Sequence, residues 1–227
     1  MGRIKVLVSR AAGKMRSESV TAVSKDAELE LVGQVSKGSE LNAAITHSGA
    51  QVVIDFTNPE SAFKNAKTIL EAGARLVSGT TGFTPKDITE LQKLAKAKKL
   101  GGLIAPNFSI GAILMMRFSA EAAKYFSKAE IIEKHHDQKL DAPSGTAIKT
   151  AEMMTKIANS NLKNVPIHSV RLPGYVADQE VIFGGLGQRL KIVHESINRE
   201  AFMPGVTLAC KKVMTINELV YGLEHLL

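Results

Sequence analysis

Cysteine is almost absent from this sequence, and its scarcity limits the kind of protein that the chain encodes. Cys210 is the single cysteine among 227 residues, which excludes an internal disulfide framework and predicts a reducing, cytoplasmic compartment. Its neighbours Leu208, Ala209 and Val213 indicate that the thiol lies in a hydrophobic core. There is no run of about 18 apolar residues, and the N-terminus leads directly into a strand-like segment, so neither a membrane span nor a signal peptide is expected.

Aromatic residues are also few, which bears on the meaning of the positive charge. The formal net charge is +7 and the pI is near 9.4, a balance that can indicate nucleic-acid binding. However, aromatic residues make up 5% of the chain and tryptophan is absent, whereas a surface that stacks bases needs interleaved aromatic side chains. The charge therefore favours an enzyme with an anionic substrate and an anionic cofactor, with no nucleic-acid partner.

The first 105 residues alternate between strand-like and helix-like segments. The apolar run Gln51–Phe56 is typical of a buried parallel strand. The predicted strands are residues 4–8, 29–35, 51–56, 75–78 and 101–105. This alternation predicts a parallel sheet with helices on both faces. In such sheets ligands bind across the carboxyl ends of the strands, so we interpret the small or polar turns at residues 9–16, 79–82 and 105–109 as a cofactor crevice.

The turn after the first predicted strand is an incomplete dinucleotide-binding fingerprint. Gly13 is its one glycine, and arginine or alanine occupies the other positions where small residues are expected. Taken alone, this turn favours a plain strand–helix connection. Ser36 and Lys37 follow the second strand, where an acidic residue favours NAD and a cation accommodates the 2′-phosphate of NADP. These two residues therefore favour NADP if a cofactor binds.

The pattern changes after a long predicted helix over residues 110–126, in which Met115 and Met116 are interpreted as core residues. Strand-like runs at residues 129–133, 167–172, 179–183 and 189–194 predict a mixed or antiparallel sheet. Helical periodicity returns over residues 201–214 and 216–226. The predicted fold class is α/β, with an N-terminal Rossmann-like parallel-sheet domain (residues 1–107 and 200–227) and a smaller α+β domain with a mixed sheet (residues 108–199).

The densest group of reactive side chains occupies residues 133–147, Glu-Lys-His-His-Asp-Gln-Lys-Leu-Asp-Ala-Pro-Ser-Gly-Thr-Ala. This segment follows a predicted strand and starts a predicted helix over residues 146–158, with Ser144 or Thr146 as its N-cap. The free N–H groups and positive dipole end of a helix start suit an anionic ligand, while Lys139 and the histidine pair add protonatable groups. We therefore predict a carboxylate or phosphate site with acid/base groups attached.

The histidine pair allows two other interpretations. A pair of histidines in a loop is commonly solvated or packed without a chemical role. A metal site is disfavoured because adjacent side chains of a regular strand point to opposite faces, and only one cysteine is available.

The same segment resembles the signature of the dihydrodipicolinate reductase (4-hydroxy-tetrahydrodipicolinate reductase) family of bacterial lysine and diaminopimelate biosynthesis. The pattern E-x-H-H-x-x-K-x-D-A-P-S-G-T-A is long and specific, and the resemblance covers nearly the whole chain. Supporting matches are Asp55–Thr57, Gly79–Phe83, Ala105–Ser109, His168–Gly174, Gln179–Gly184 and Asn198-Arg199. The resemblance implies a homotetrameric, NADPH- or NADH-dependent oxidoreductase that reduces a cyclic unsaturated dicarboxylate. Its second domain is expected to bind the substrate and to form the oligomer.

The resemblance also implies roles for individual residues. His135 would be the acid/base residue and Lys139 the proton donor, while His136, Ser144, Gly145 and Thr146 would hold the substrate. No metal ligand is implied. The implied cofactor contacts are Arg10, Ala11, Ala12, Gly13, Lys14, Met15, Ser36, Lys37, Gly79, Thr80, Thr81, Ala105, Pro106, Asn107 and Phe108.

The chain departs from the family pattern in its first turn. The family pattern is G-x-x-G-R-M-G, whereas this chain has Arg10-Ala-Ala-Gly-Lys-Met-Arg16, and Asp178 stands where close relatives carry histidine. The added cations favour NADPH over NADH because NADPH carries an extra phosphate. The leading hypothesis is an active reductase. The alternative is a cofactor-impaired homologue that binds the dicarboxylate or a protein partner without efficient turnover.

Overall fold

The computed structural model describes residues 2–9, 14–35 and 40–227 and divides the chain into two compact units. Unit 1 contains the residues up to Phe108 together with Phe202–Leu227, and unit 2 is Ser109–Ala201. In the described ranges, no helix is both long and apolar enough to cross a membrane.

The helices and strands follow one another in a regular order along the chain. They are β1 (Ile4–Ser9), α1 (Lys14–Lys25), β2 (Leu29–Val35), α2 (Leu41–Ser48), β3 (Val52–Asp55), α3 (Pro59–Glu71), β4 (Arg75–Ser78), α4 (Pro85–Lys98), β5 (Gly102–Ile104), α5 (Ile110–Ala122), β6 (Lys128–His135), α6 (Gly145–Lys156), β7 (Ile167–Arg171), β8 (Ala177–Gly185), β9 (Gln188–His194), α7 (Met203–Lys212) and β10 (Leu219–Tyr221). Short 3₁₀ turns occupy Arg199–Phe202 and Leu223–His225.

Unit 1 is built on a parallel sheet. Its described strands number six and have the order β10-β5-β4-β3-β1-β2, with every pair parallel. All four residues of β3 are buried, as expected for a strand covered on both faces. β2 and β3 lie on opposite sides of β1, so the chain reverses direction across the sheet there. In open α/β sheets this reversal point is where ligands bind, at the carboxyl ends of the strands.

Local signals explain where the helices of unit 1 begin. Asn58 caps α3 by accepting a hydrogen bond from the Ser61 N–H at 3.1 Å. Thr84 and Asp87 form a reciprocal capping box at the start of α4, where the two hydrogen bonds are 3.1 and 2.8 Å long. Each helix has proline at its first position, where the missing N–H costs nothing. Both helix starts thus follow from a cap residue and a proline that are next to each other in the sequence.

Unit 2 contains a mixed sheet, as predicted. Its described strands have the order β7-β6-β8-β9, in which β6 and β7 are parallel and the other pairs are antiparallel. A hydrophobic core lies between this sheet and the helices α5 and α6, and it includes Met115, Met116, Ala147, Met154 and Phe183. The prediction that the two methionines are core residues is therefore confirmed.

The predicted helix over residues 216–226 is wrong. Leu219–Tyr221 form β10, which pairs in parallel with β5, and a 3₁₀ turn follows. Apolar residues at positions 216, 219, 220, 223 and 226 have helical spacing, but the edge of β5 offers a row of backbone hydrogen bonds that a local pattern does not reveal. Helix α2 lies in a segment for which no element was predicted.

Candidate active site

His135 is the last residue of the central strand of unit 2. In β6 it pairs with Arg171 of β7 on one side and with Ala177 of β8 on the other. Side chains alternate along a strand, so Glu133 and His135 share the face on which Ala129 and Ile131 are buried. The predicted reactive segment thus leaves the middle of the sheet and leads into α6.

Glu133 is fully buried and has a donor for each of its lone-pair directions. Arg171 binds it in a bidentate manner, with Nη2 donating to Oε1 at 2.7 Å and Nη1 donating to Oε2 at 2.8 Å. The Ser144 N–H donates to Oε1 at 3.2 Å. The His135 Nδ1 lies 2.5 Å from Oε2. One carboxylate therefore joins the histidine, the start of α6 and the strand β7.

These contacts fix the charge states of the pair. Burial alone would raise the pKa of Glu133, but hydrogen bonds from Arg171, Ser169 and His135 outweigh burial and hold that pKa below its ordinary value. Burial lowers the pKa of His135, and the nearby charges of Lys139 and Arg171 add to this effect against the opposing pull of Glu133. His135 is thus neutral at pH 7, and we assign its proton to Nδ1 from the contact with Glu133, which leaves Nε2 as an acceptor.

Lys139 is held in the loop between His135 and α6. Its Nζ donates to both carboxylate oxygens of Asp141, at 2.7 and 2.8 Å. The hydrogen bond from Lys139 lowers the pKa of Asp141. The Asp141 carbonyl accepts a hydrogen bond from Arg171 at 2.7 Å, so the arginine that holds Glu133 also anchors this loop. The His136 carbonyl accepts from the Lys139 N–H at 3.2 Å, which closes a turn.

The start of α6 is capped by Ser144, which decides between the two predicted caps. Its Oγ accepts a hydrogen bond from the Ala147 N–H at 3.2 Å. A Cβ placed on Gly145 would meet no atom within 4 Å, so the backbone there is open to a ligand. The first N–H groups of a helix have no acceptor within the helix. Ser144, Gly145 and Thr146 lie at this helix start, where Glu133 already accepts a hydrogen bond from the Ser144 N–H, and His136 follows His135 directly at the other end of the loop.

In unit 1, several of the predicted cofactor residues gather at the carboxyl ends of β3, β4 and β5. The Gly79 N–H donates to the Asp55 carbonyl at 3.1 Å, and the Ala105 N–H donates to the Ser78 carbonyl at 2.8 Å. Thr80 is buried. The rings of Phe56 and Phe108 meet edge to face with centroids 5.7 Å apart. Thr81 and Pro106 are exposed and Asn107 is partly buried in the same loops.

The structure describes only some of the remaining predicted cofactor residues. Arg10, Ala11, Ala12, Gly13, Ser36 and Lys37 lie outside the described residues. Lys14 and Met15 are the first residues of α1, so the predicted turn does lead into a helix. Arg16, two positions further on, donates to the Gln34 side chain at 3.1 Å. Gln34 is next to the end of β2, so this guanidinium lies near the strand tip where the adenosine ribose is read in dinucleotide-binding folds.

The described residues of unit 1 fit a dinucleotide. At the reversal point of the sheet, β1 ends in Ser9, a fully buried residue whose Oγ has no hydrogen-bond partner among the described residues. A Cβ on Gly79 would lie 2.0 Å from the ring of Phe56, so only glycine fits in this turn. Small residues and a helix that begins shortly after the first strand are the features with which dinucleotide-binding folds hold a pyrophosphate.

Sequence reasoning missed the roles of two residues that organise the site. Glu133 belongs to the signature and Arg171 to a supporting match, but neither pattern indicates a role for its residue. Their contact spans 38 residues, and it depends on the β6–β7 register, for which the sequence carries no local signal. The structure also adds Phe56 to the environment of the predicted cofactor residues.

The fold and the two groups of residues define a class of protein. A Rossmann-type sheet with a reversal point, joined to a mixed-sheet unit that carries acid/base groups, is the architecture of a two-domain dehydrogenase. An amine dehydrogenase from Mycobacterium smegmatis is 11% identical and has a TM-score of 0.69, covering 97% of this chain and 95% of that chain. At this low identity the likeness concerns the fold alone.

Closer comparisons narrow the class to one family. The model "Dihydrodipicolinate reductase, N-terminus" matches residues 4–108, and "Dihydrodipicolinate reductase, C-terminus" matches residues 111–227. The chain belongs to the dihydrodipicolinate reductase family. A 4-hydroxy-tetrahydrodipicolinate reductase of Legionella pneumophila (strain Lens) is 47% identical over 99% of this chain and 100% of that protein. The solved structure of a dipicolinate-bound dihydrodipicolinate reductase from Paenisporosarcina sp. TG-14 is 40% identical, with a TM-score of 0.87 over 99% of this chain and 100% of that chain.

Proposed function

We propose that this chain is a 4-hydroxy-tetrahydrodipicolinate reductase, which reduces the cyclic unsaturated dicarboxylate of lysine and diaminopimelate biosynthesis to tetrahydrodipicolinate. The observation that carries the proposal is the group formed by His135, Lys139 and the capped start of α6, because it combines acid/base groups with a carboxylate site. The full-length similarity to a reductase of this name, 47% identical, supports an active enzyme over the cofactor-impaired alternative.

The start of α6 is the proposed binding site for a substrate carboxylate. Backbone N–H groups and the positive end of the helix dipole stabilise an anion there, and the open space at Gly145 allows close approach. Ser144 and Thr146 flank this position, and His136 supplies a further polar contact. The solved relative that is 40% identical was described with dipicolinate bound, which is consistent with a dicarboxylate ligand in this family.

Lys139 and His135 are the proposed proton-transfer groups. A reduced nicotinamide cofactor, when bound, supplies the hydride. As hydride reaches the substrate, negative charge develops on the ring, and the ammonium group of Lys139 stabilises that charge and gives up a proton. His135 acts as the acid/base partner through Nε2, since its Nδ1 is held by Glu133. One hydride and one proton thus balance the reduction of the dihydrodipicolinate form, and the 4-hydroxy form reaches it by releasing its hydroxyl group as water.

Unit 1 is the proposed dinucleotide-binding domain, and unit 2 the substrate-binding domain. NADPH is the proposed preferred cofactor. Arg16 lies beside Gln34 near the end of β2, and Arg10, Lys14 and Lys37 add cations by sequence, so an extra phosphate on the ribose would be attracted electrostatically. The homotetramer and the cytoplasmic location implied by the family resemblance stay predictions.

The direct test is a turnover assay in which the nicotinamide absorbance is followed with NADPH and with NADH, with and without the dicarboxylate substrate. The proposal predicts oxidation that depends on the substrate and is faster at low concentrations of NADPH than of NADH. Nucleotide binding without substrate-dependent oxidation would instead support the cofactor-impaired alternative.

A further inference from the structure

Glu133 stands out among the charged residues of unit 2 because it is fully buried and yet has polar contacts with Arg171, Ser169, His135 and the Ser144 N–H. The contacts of Arg171, His135 and Ser144 are divided evenly between its two oxygens. Oε1 accepts from Arg171 and from the Ser144 N–H at the start of α6. Oε2 accepts from Arg171 and faces the Nδ1 of His135. Each oxygen thus binds one arm of the guanidinium and one element of the proposed site.

If the Glu133–Arg171 ion pair only stabilised the fold, its other hydrogen-bond donors would not have to come from the proposed site. A buried carboxylate is satisfied by a bidentate arginine together with any other donors. Here the additional donors are Ser169, the proposed acid/base histidine and the N-cap residue of the proposed anion-binding helix. Arg171 extends the link, because its Nη2 also donates to the carbonyl of Asp141, whose side chain holds Lys139.

We propose that Glu133, clamped by Arg171, is the positioning residue of the proposed active site: it fixes the Nδ1–H tautomer of His135, directs Nε2 toward the ligand side, and sets the start of α6 relative to that ring. This inference rests on the proposed function and gives a positioning role to a residue pair outside the proposed proton-transfer and carboxylate-binding groups. A carboxylate that orients an imidazole in this way selects the tautomer and stabilises the protonated ring.

The direction in which loss of the Glu133 carboxylate would change the pKa of His135 can be worked out from the surrounding charges. The charged groups that face His135 are Glu133 on its own strand, Lys139 in the loop and Arg171 on β7. Glu133 favours the protonated ring, whereas the two cations disfavour it. If the carboxylate is replaced by an amide, the two cations act without opposition, so the pKa of His135 falls. The tautomer is then no longer selected, because an amide both donates and accepts.

The principal variant is Glu133→Gln, which keeps the shape of the side chain and removes its charge. A matched control is available on the same strand: Glu130 contacts His168 at 2.8 Å, but both side chains are exposed, by 60% and 56% respectively. Glu130→Gln therefore breaks a carboxylate–histidine contact of the same kind on the surface. We expect it to leave turnover and His135 unchanged.

Two measurements distinguish a positioning role of Glu133 from a general disturbance of the fold in the variant. Imidazole nitrogen chemical shifts, assigned to His135 by comparison with His135→Gln, give its tautomer and pKa without any substrate. For Glu133→Gln we expect mixed tautomers, a lower pKa of His135 and a loss in kcat of about 10²-fold, with the acid limb of the pH–rate profile shifted to lower pH. The wild type is expected to show the Nδ1–H tautomer.

The proposal is overturned if the wild type carries its His135 proton on Nε2, a measurement that does not depend on whether any variant folds. It is also overturned if Glu133→Gln keeps the wild-type tautomer and pKa, even with reduced kcat, because the loss would then be structural. Arg171→Lys is a second variant, since it retains the charge but not the bidentate clamp, and we expect at least a tenfold fall in kcat. Because the nitrogen shifts need no turnover, failure of the positioning role is distinguishable from failure of the proposed reaction.

Discussion

At the scale of single residues, Lys139 carries the most direct prediction about chemistry. Lys139→Met removes the proton donor and is expected to lower kcat by roughly 10²- to 10⁴-fold. Its ion pair with Asp141, whose side chain is 61% exposed, contributes little to folding, so the free energy of unfolding should change by less than about 1 kcal/mol. Initial rates and urea titrations check both expectations.

The control for this variant is Lys149→Met, which removes an exposed lysine from the same unit, within α6. It should leave the kinetic constants unchanged. Wild-type turnover in Lys139→Met would show that the proton comes from another group.

Individual site residues could be predicted from the sequence where they lie close together in the chain, and their roles stay predictions. His135, Lys139, Ser144 and Gly145 fall within one short segment, and the structure brings them into one loop and one helix start. The Glu133–Arg171 contact was not predictable in this way, because two strands that are far apart in the chain must first pair in one register.

At the scale of elements, the start of α6 yields a graded prediction. Gly145 has no atom within 4 Å of a built Cβ, so neither alanine nor valine at this position should clash within the fold. Alanine adds little bulk and should leave KM close to that of the wild type. Valine covers the helix start with a branched side chain. Loss of a hydrogen bond to a charged group is worth about 1.5–3 kcal/mol, so KM for the dicarboxylate should rise about tenfold or more.

Measured KM values for Gly145→Ala and Gly145→Val test whether the start of α6 binds the substrate carboxylate. Thermal melts confirm that both variants fold. An unchanged KM in the valine variant would mean that the carboxylate is bound elsewhere.

The start of α1 yields a prediction about cofactor choice. Arg16→Ala removes the guanidinium that contacts Gln34 near the end of β2. If this group attracts the extra phosphate of NADPH, the Kd for NADPH should rise about tenfold, the Kd for NADH should change much less, and the salt dependence of NADPH binding should weaken. Calorimetric titration at two salt concentrations measures all three effects.

Lys25→Ala is the control, since it removes a cation from the opposite end of the same helix. An equal loss of NADPH and NADH affinity in Arg16→Ala would contradict a role in phosphate recognition. The predicted preference for NADPH would then depend on the other cations.

Helices and strands were predicted well where local sequence signals are strong. They were predicted poorly where a segment becomes a strand only because it pairs with a strand far away in the chain. The starts of α3 and α4 were predictable from a cap residue followed by proline. The strand β10 was not, because its apolar spacing also fits a helix and its partner β5 lies more than 100 residues away. Neither the strand order β10-β5-β4-β3-β1-β2 nor the membership of β10 in the sheet follows from the alternation of strands and helices alone.

At the scale of the whole molecule, Cys210 reports on the stability of unit 1. The thiol is fully buried, and burial raises its pKa from 9.0 to about 12. The unfolded chain loses this proton near pH 9 and the folded chain does not, so stability from this group is present below pH 9 and is lost as pH rises from 9 to 12. The slope is about 1.4 kcal/mol per pH unit.

Urea unfolding of the wild type and of Cys210→Ala at pH 8 and pH 10.5 checks this expectation. The wild type should lose more stability than the variant over that interval. The native thiol should also resist a thiol reagent until denaturant is added. Rapid labelling of the native protein, or equal pH dependence in the two proteins, would show that the thiol is accessible.

The central claim is that this chain transfers hydride directly to a cyclic dicarboxylate, and isotope transfer tests it most directly. The wild-type protein is incubated with substrate and with NADPH that carries deuterium at the transferable position of the nicotinamide. The product is then analysed by mass spectrometry, with Lys139→Met in parallel. The account predicts a tetrahydrodipicolinate product that contains the deuterium, formed far more slowly by the variant. Product without deuterium, or no product although both ligands bind, would contradict it.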